Sequence, residues 1–341
     1  MSGHYRQDGH VLCFGELLLR LSAPRGELLL QSPALHTCIG GAEANVAVSL
    51  ARFGHEVAMA GVLPDNPLGH AARDALRGHG VDTRPLVFQP GRMGLYFLTP
   101  GAVQRPAEIV YDRAGSAFAQ YDPTRYDWPA LLRGASLLHL SGVTPALGGR
   151  AAQAALAAAR AACELGVPVS FDGNYRASLW AAQGQDGAAV LAELMRHVDL
   201  AFAGQRDIAL LLGRPELADV ERQTQAVAAA FQAFPRLRHL ACTVRVQHGV
   251  ERHELSAQLH TRDASLATAA RTMDGIVDRI GAGDAFAAGL LHGLRRRWPA
   301  ARALEFALAA ATVKHAIAGD FNLASEAQVL AADNGGLDVR R

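Results

Sequence analysis

The chain is almost without lysine. It has 341 residues, 33 of them lysine or arginine, and Lys314 is the only lysine. A mechanism that needs a lysine therefore has one candidate. The G-x-x-x-x-G-K-[ST] loop is missing as well, which excludes a P-loop. Cysteine is scarce: Cys13, Cys38, Cys163 and Cys242 are far apart and form no C-x-x-C pair. Neither a disulfide framework nor a cysteine zinc site is indicated, and the thiols read as small apolar residues in a reducing cytoplasm. An excess of one charge is also lacking. The formal net charge is +1 with acids and bases interspersed, so no nucleic-acid or membrane partner is expected. The longest basic run, Arg295-Arg296-Arg297, reads as the solvated C-terminal end of a helix, where cations suit the dipole. No apolar run approaches a membrane span, and the first ten residues are polar, so no secretory leader is expected. Several catalytic signatures are missing too. There is no G-x-G-x-x-G, which weighs against a Rossmann dehydrogenase, and no G-x-S-x-G. His253-Glu254 is followed by His260, the wrong spacing for a zinc-binding H-E-x-x-H.

Half of the residues are hydrophobic, enough for a sizeable core in one large α/β domain or two smaller ones. Residues 11–14 read as a short buried strand ending at Gly15-Glu16, and residues 57–62 as another. Residues 84–88, 93–98 and 107–113 read as consecutive strands separated by turn residues. Ile109, Tyr111 and Arg113 share one face of the last, and Tyr96 lies on a neighbour. That face would either cover a polar ligand or belong to an ordinary amphipathic hairpin. From residue 137 onward strands and helices alternate, as in a parallel sheet with helices on both faces. Ligands of such sheets sit beyond the carboxyl ends of the strands. Gly15-Glu16, Ser141-Gly142, Asn174 to Arg176 and the run from Gly281 to Asp284 all fall there.

Two glycine-rich stretches carry chemistry. Gly40-Gly41-Ala42-Glu43-Ala44-Asn45 is a double-glycine turn feeding a small-residue helix, and its backbone suits an anion or a sugar. Gly281-Ala282-Gly283-Asp284 precedes a second helix. The free N–H groups and positive dipole end of that helix make an anion site. A carboxylate is poorly placed beside a bare phosphate, but well placed to take a proton from a hydroxyl that attacks one. The plainer alternative makes Asp284 the helix N-cap.

With these residues in view, residues 277–289 resemble the C-terminal signature of the ribokinase-like (phosphofructokinase-B type) sugar kinases, and residues 40–54 their N-terminal double-glycine signature. Gly94 to Leu98 with Ile109 to Ala117, Phe171 to Arg176, and Lys314 to Asn322 are most similar to the 2-keto-3-deoxygluconate kinases of that family. The resemblance implies a single ribokinase-like α/β kinase domain over residues 1–341. Its central sheet would be mostly parallel with helices on both faces, and a small β-sheet lid would come from insertions near 17–38 and 84–113. It further implies ATP-dependent phosphorylation of 2-keto-3-deoxy-D-gluconate at the 6-hydroxyl. The alternatives are another sugar (fructose, ribose or 2-keto-3-deoxygalactonate) or a non-catalytic sugar-binding protein of the same fold. By motif matching Asp284 would be the base, and Gly281, Ala282 and Gly283 the anion hole. Gly40, Gly41, Ala42, Glu43, Asn45, Tyr96, Tyr111, Arg113, Arg176 and Asp320 would hold the sugar acid. Asn174, Tyr175, Arg176, Thr243, Arg245, Gly249, Gly281 and Gly283 would border ATP. Mg²⁺, near Asp207, and a monovalent cation complete the implied cofactors, and a cytoplasmic homo-oligomer is expected.

Two departures from the family pattern stand out. Its N-x-x-E reads Gly204-Gln205-Arg206-Asp207 here, and its glycine-containing nucleotide loop reads Thr243 to Gly249 with Arg245 inside. Arg20 stands where neutral-sugar kinases carry an aspartate, which favours an acidic substrate.

Overall fold

The structure is a computed structural model, and it describes residues 8–184 and 186–333. In chain order its strands are β1 (His10–Phe14), β2 (Leu18–Ser22), β3 (His36–Gly40), β4 (Val57–Pro64), β5 (Leu86–Gln89), β6 (Gly94–Thr99), β7 (Glu108–Asp112), β8 (Ala135–Ser141), β9 (Val169–Asp172), β10 (Leu200–Phe202), β11 (His239–Gln247), β12 (His253–His260), β13 (Ser265–Ala267) and β14 (Arg271–Met273). The larger sheet runs β13-β12-β11-β10-β9-β8-β1-β4-β5, with β14 beside β12. It is parallel from β11 to β5 and antiparallel only at the β12 end.

The central strands are apolar on both faces because both faces are covered. Every residue of β4 is buried. Along β1 the period of two divides the side chains between two cores. Val11 and Cys13 join the helices Ala42–Arg52, Ala282–Arg295 and Ala300–Lys314 on one face. Leu12 and Phe14 join the alanine-rich helix Gly149–Glu164 on the other.

A separate four-stranded sheet runs β3-β2-β6-β7. It draws on both stretches expected to form the small sheet, with one correction. Residues 84–88 do not contribute to it; β5 pairs in parallel with β4 at the edge of the large sheet. The apolar side chain of Leu86 is buried in the main core there. A second correction concerns the basic run. Arg295 is buried, not solvated. Its guanidinium donates to Ser136 Oγ at 2.5 Å and to the Gly9 carbonyl at 3.0 Å, tying the last turn of its helix to the start of β1.

Candidate active site

The loops after β3, β8 and β9, the turn before the helix Ala282–Arg295, and the inner face of the small sheet enclose a cavity of about 470 Å³. The two sides bring different chemistry to it.

The large sheet supplies acids and an anion site. Gly281 caps the helix Ala282–Arg295 with a left-handed φ of 79°. A side chain there would also collide with the Asp320 carbonyl, so this position requires glycine. The N–H of Ala282 is taken by the Arg279 carbonyl at 3.3 Å. Gly283 and Asp284 are left with the unpaired donors of the first turn. Asp284 is thus the third residue of the helix and not its cap. Its carboxylate accepts a 2.6 Å hydrogen bond from Asn45 Nδ2. Burial, with Asp172 and Asp320 nearby, pushes its pKa up to about 8, against the Asn45 bond and Arg176. Asp172, at the end of β9, is pushed up to about 7, first by burial and then by Asp207 and Glu43, with Arg176 opposing.

The small sheet supplies the other wall. Its strands place Tyr96 and Tyr111 as direct cross-strand neighbours, ring centroids 6.3 Å apart. Ile109, Tyr111 and Arg113 line the cavity together. Arg113 is buried, and its Nε donates to Glu16 Oε2 at 2.6 Å. Glu16 is steadied in turn by Ser116 Oγ. No partner among the described residues engages the Nη groups of Arg113. Tyr96 donates to Asp320 Oδ2 at 2.8 Å. Three further arginines, Arg176, Arg245 and Arg279, reach the same cavity beside Asn174.

Of the expected site residues, Gly41, Ala42, Asn45, Tyr96, Tyr111, Arg113, Asn174, Arg176, Arg245, Gly281, Gly283, Asp284 and Asp320 border this one cavity. Others do not. Glu43 is fully buried away from it; its Oε1 accepts from Ser141 N, Ser141 Oγ and Thr144 Oγ1 at 3.0, 2.8 and 2.7 Å. Gly40 packs under the Asp320 carboxylate, which any side chain at that position would displace. Tyr175 stacks toward Trp180, with ring centroids 6.5 Å apart. Thr243 and Gly249 stand on the β11–β12 hairpin outside the lining. Ala282 is buried with its N–H engaged.

Asp207 turns back on its own helix, accepting from Gly204 N at 2.8 Å, so it is not placed to hold a metal at the cavity. Among the described residues no cluster of three or more His, Cys, Asp or Glu could do so alone. Arg20, expected to bear on an acidic substrate, is buried and already paired with Asp278 at 2.6 Å and Asp320 at 3.0 Å. Its charge serves those two aspartates.

Sequence reasoning did not assign Asp172, Glu16 or Arg279. The first two stand at or just beyond the carboxyl ends of strands, the location already singled out for ligands, and that position was the available signal. Arg279 sits inside the glycine motif and could have been found there.

Comparison with known proteins identifies the family. The family model described as pfkB family carbohydrate kinase matches residues 8–320. A 2-dehydro-3-deoxygalactonokinase of Haloferax volcanii is 31% identical over 96% of this chain and 97% of its own length. The crystal structure of 2-dehydro-3-deoxygluconokinase from Thermotoga maritima superposes with a TM-score of 0.89 at 35% identity, covering 96% of this chain and all of that one. A pfkB family carbohydrate kinase from Listeria grayi also superposes with a TM-score of 0.89 at 35% identity, over 95% of this chain and 99% of its own. A site of one carboxylate at a glycine-capped helix, facing a tyrosine- and arginine-lined sheet, thus lies on a ribokinase-like fold, and the chain belongs to the pfkB family of carbohydrate kinases.

Proposed function

We propose that this sugar kinase transfers the γ-phosphoryl group of Mg-ATP to the 6-hydroxyl of 2-keto-3-deoxy-D-gluconate. The observation that carries this reading is Arg113, a buried cation lining the cavity with Nε fixed by Glu16 and both Nη groups unpaired. Glu16 already balances its charge, and a neutral sugar could take single hydrogen bonds from the two Nη groups but not a paired, charge-assisted set. A carboxylate takes two parallel hydrogen bonds from it. Tyr96 and Tyr111 wall the same end, and the cavity volume suits a six-carbon acid beside a phosphate. Two of the relatives are named as kinases of the gluconate and galactonate forms of the same keto-deoxy acid, which supports this class of substrate.

In the mechanism, Asn45 holds the Asp284 carboxylate toward the cavity, where the acceptor hydroxyl would lie. Asp284 takes the hydroxyl proton as the oxygen attacks phosphorus, the new O–P bond forms, the bond to the β-phosphate oxygen breaks, and ADP leaves. The free N–H groups of Gly283 and Asp284, at the positive end of the helix dipole, stabilise charge on the transferring group. Arg176, Arg245 and Arg279 balance the polyphosphate. This donor set fits a metal-bound triphosphate: the arginines match its charge, and Asp172, the carboxylate lining the cavity beside Asp284, would hold the metal. Bound Mg²⁺ neutralises phosphate charge. The small sheet acts as a lid that keeps water, a competing acceptor, from the site.

The test is a phosphorylation screen with Mg-ATP over keto-deoxy acids and neutral sugars, with the product phosphate located by ³¹P NMR. We expect 2-keto-3-deoxygluconate to exceed fructose and ribose in kcat/KM by at least about tenfold, the worth of one charge-assisted hydrogen bond. Preference for a neutral sugar overturns the reading. The galactonate epimer in the same screen decides the configuration at C4.

A further inference from the structure

The buried groups left unused by this mechanism centre on Lys314. It ends the helix Ala300–Lys314, and its side chain is fully buried. Its Nζ donates to the Ile317 carbonyl at 2.9 Å. Its Cε lies 3.3 Å from where a Cβ on Gly281 would stand, so the end of the side chain packs against the turn that opens the catalytic helix. The Asp320 carbonyl packs against the same face of that turn.

The charges around it are unbalanced without it. Asp278 and Asp320 share Arg20, at 2.6 and 3.0 Å. Asp278 also accepts from Ile280 N and Gly319 N, each at 3.0 Å, and so ties the segment before the turn to the loop that follows the helix Ala300–Lys314. Burial, the largest influence, lowers the pKa of the lysine below its ordinary value; Asp278, Asp320 and Asp284 act against burial and favour the charged form, and Arg20 acts with burial. The neighbouring His315 is held neutral by burial and adds no charge. Arg20 and Lys314 are thus the two basic side chains set among Asp278, Asp320 and Asp284. A buried ammonium without such carboxylates would be costly.

We propose that Lys314 is a positioning residue for phosphoryl transfer, whose buried ammonium braces the Gly281 turn and supplies fixed positive charge beneath the anion hole, keeping Asp284 available as a carboxylate. It touches neither sugar nor nucleotide. Its effect passes through the backbone of Gly281 and through the field it adds at the first turn, where preorganised charge acts without reorganising. This inference rests on the reading of Gly283 and Asp284 as anion hole and base.

Because the chain has a single lysine, ¹⁵N-lysine labelling of the full-length protein gives one side-chain ammonium resonance. We expect it to be protonated at pH 7.5 and to shift when Mg²⁺ and a non-hydrolysable ATP analogue fill the site. A neutral amine at that pH, or a resonance indifferent to the nucleotide, overturns the proposal, and neither depends on Asp284. The second arm is Lys314→Met, of similar length and uncharged. We expect kcat to fall by about tenfold or more with KM for the sugar acid within about threefold. We also expect the acid limb of kcat/KM to move up by about one pH unit, as loss of a nearby cation demands. The smaller variant Lys314→Ala should regain part of its kcat in ethylammonium. A variant that loses only melting temperature, with an unmoved pH limb and no rescue, shows a merely structural lysine. If Lys314→Met does not fold, the wild-type resonance decides. Asp284→Asn separates the two readings: should it retain kcat, the base assignment fails, whatever the lysine resonance does.

Discussion

Asp284 lies where a carboxylate resists ionisation, and that sets both its reactivity and its cost. Burial and two neighbouring aspartates raise its pKa to about 8 in the free protein. With the ionised form as the proposed base, kcat/KM should fall as the pH drops below about 8, which a pH–rate profile checks. The stability effect has the opposite sense. The folded pKa lies above the unfolded value of 3.8, so the group favours folding fully only below that value, and this contribution is lost as pH rises through the folded pKa. Asp284→Asn keeps a partner for Asn45 and removes the buried charge. It should melt above wild type at pH 8.5, by about 0.5–2 kcal/mol, with the gap closing toward pH 4. Equal melting at both pH values would contradict this environment for Asp284. At the other end of the cavity, Arg113→Ala should raise KM for the sugar acid by about tenfold or more while leaving KM for ATP nearly unchanged, in line with loss of a charged hydrogen bond. Equal effects on both substrates would contradict its carboxylate role.

At this scale the sequence was legible in type but not in direction. Glu43 and Asn45 follow the same double glycine, yet two residues in a helix point about 200° apart, so both could not face the cavity. Asn45 reaches Asp284, and Glu43 reaches Ser141 and Thr144. Arg20 was misread because its partner Asp278 lies 258 residues along the chain. Arg295 is the last residue of its helix, while Arg296 caps that helix and Arg297 lies beyond it, and of the three Arg295 is buried and meets Ser136.

Among the elements, the catalytic helix depends on its packing as much as on its cap. Gly289 and Gly293 let it approach the helix Ala300–Lys314 closely. A Cβ on Gly289 would lie 2.7 Å from Ala307 Cα, and one on Gly293 would lie 2.7 Å from Ala303 Cα. Facing residues Ala303, Ala307, Ala310 and Ala311 are small and buried. Gly289→Leu should therefore destabilise the fold by about 1–3 kcal/mol through overpacking, read as a lowered midpoint in urea. An unchanged midpoint would show that the helix pair has slack. The catalytic helix was clear in the sequence from the glycine motif that precedes it. The strand β5 was not: its alternation matches that of the neighbouring small-sheet strands, and only pairing with β4 assigns it to the large sheet.

Over the whole molecule, the large sheet brings acids and free N–H groups to its carboxyl edge, and the small sheet brings tyrosines and an arginine to face them. Arg20 of β2 joins the two by gripping Asp278 and Asp320, and Tyr96 of β6 adds a second hold on Asp320. On the proposed reading, the acceptor would lie between a cation that reads its carboxylate and a base that takes its proton. The βα alternation and the strand-end clusters made that plan visible in the sequence. The long-range ion pairs that lock it were not visible, since spacing carries no record of them. The central claim is that Asp284 removes the proton from the acceptor hydroxyl. Its most direct measurement is single-turnover transfer of labelled γ-phosphate from Mg-ATP to 2-keto-3-deoxygluconate by wild type and Asp284→Asn, at saturating substrates. We predict a fall in the rate of about 10²–10⁴ with binding of both substrates retained; a variant within threefold of wild type would contradict the account.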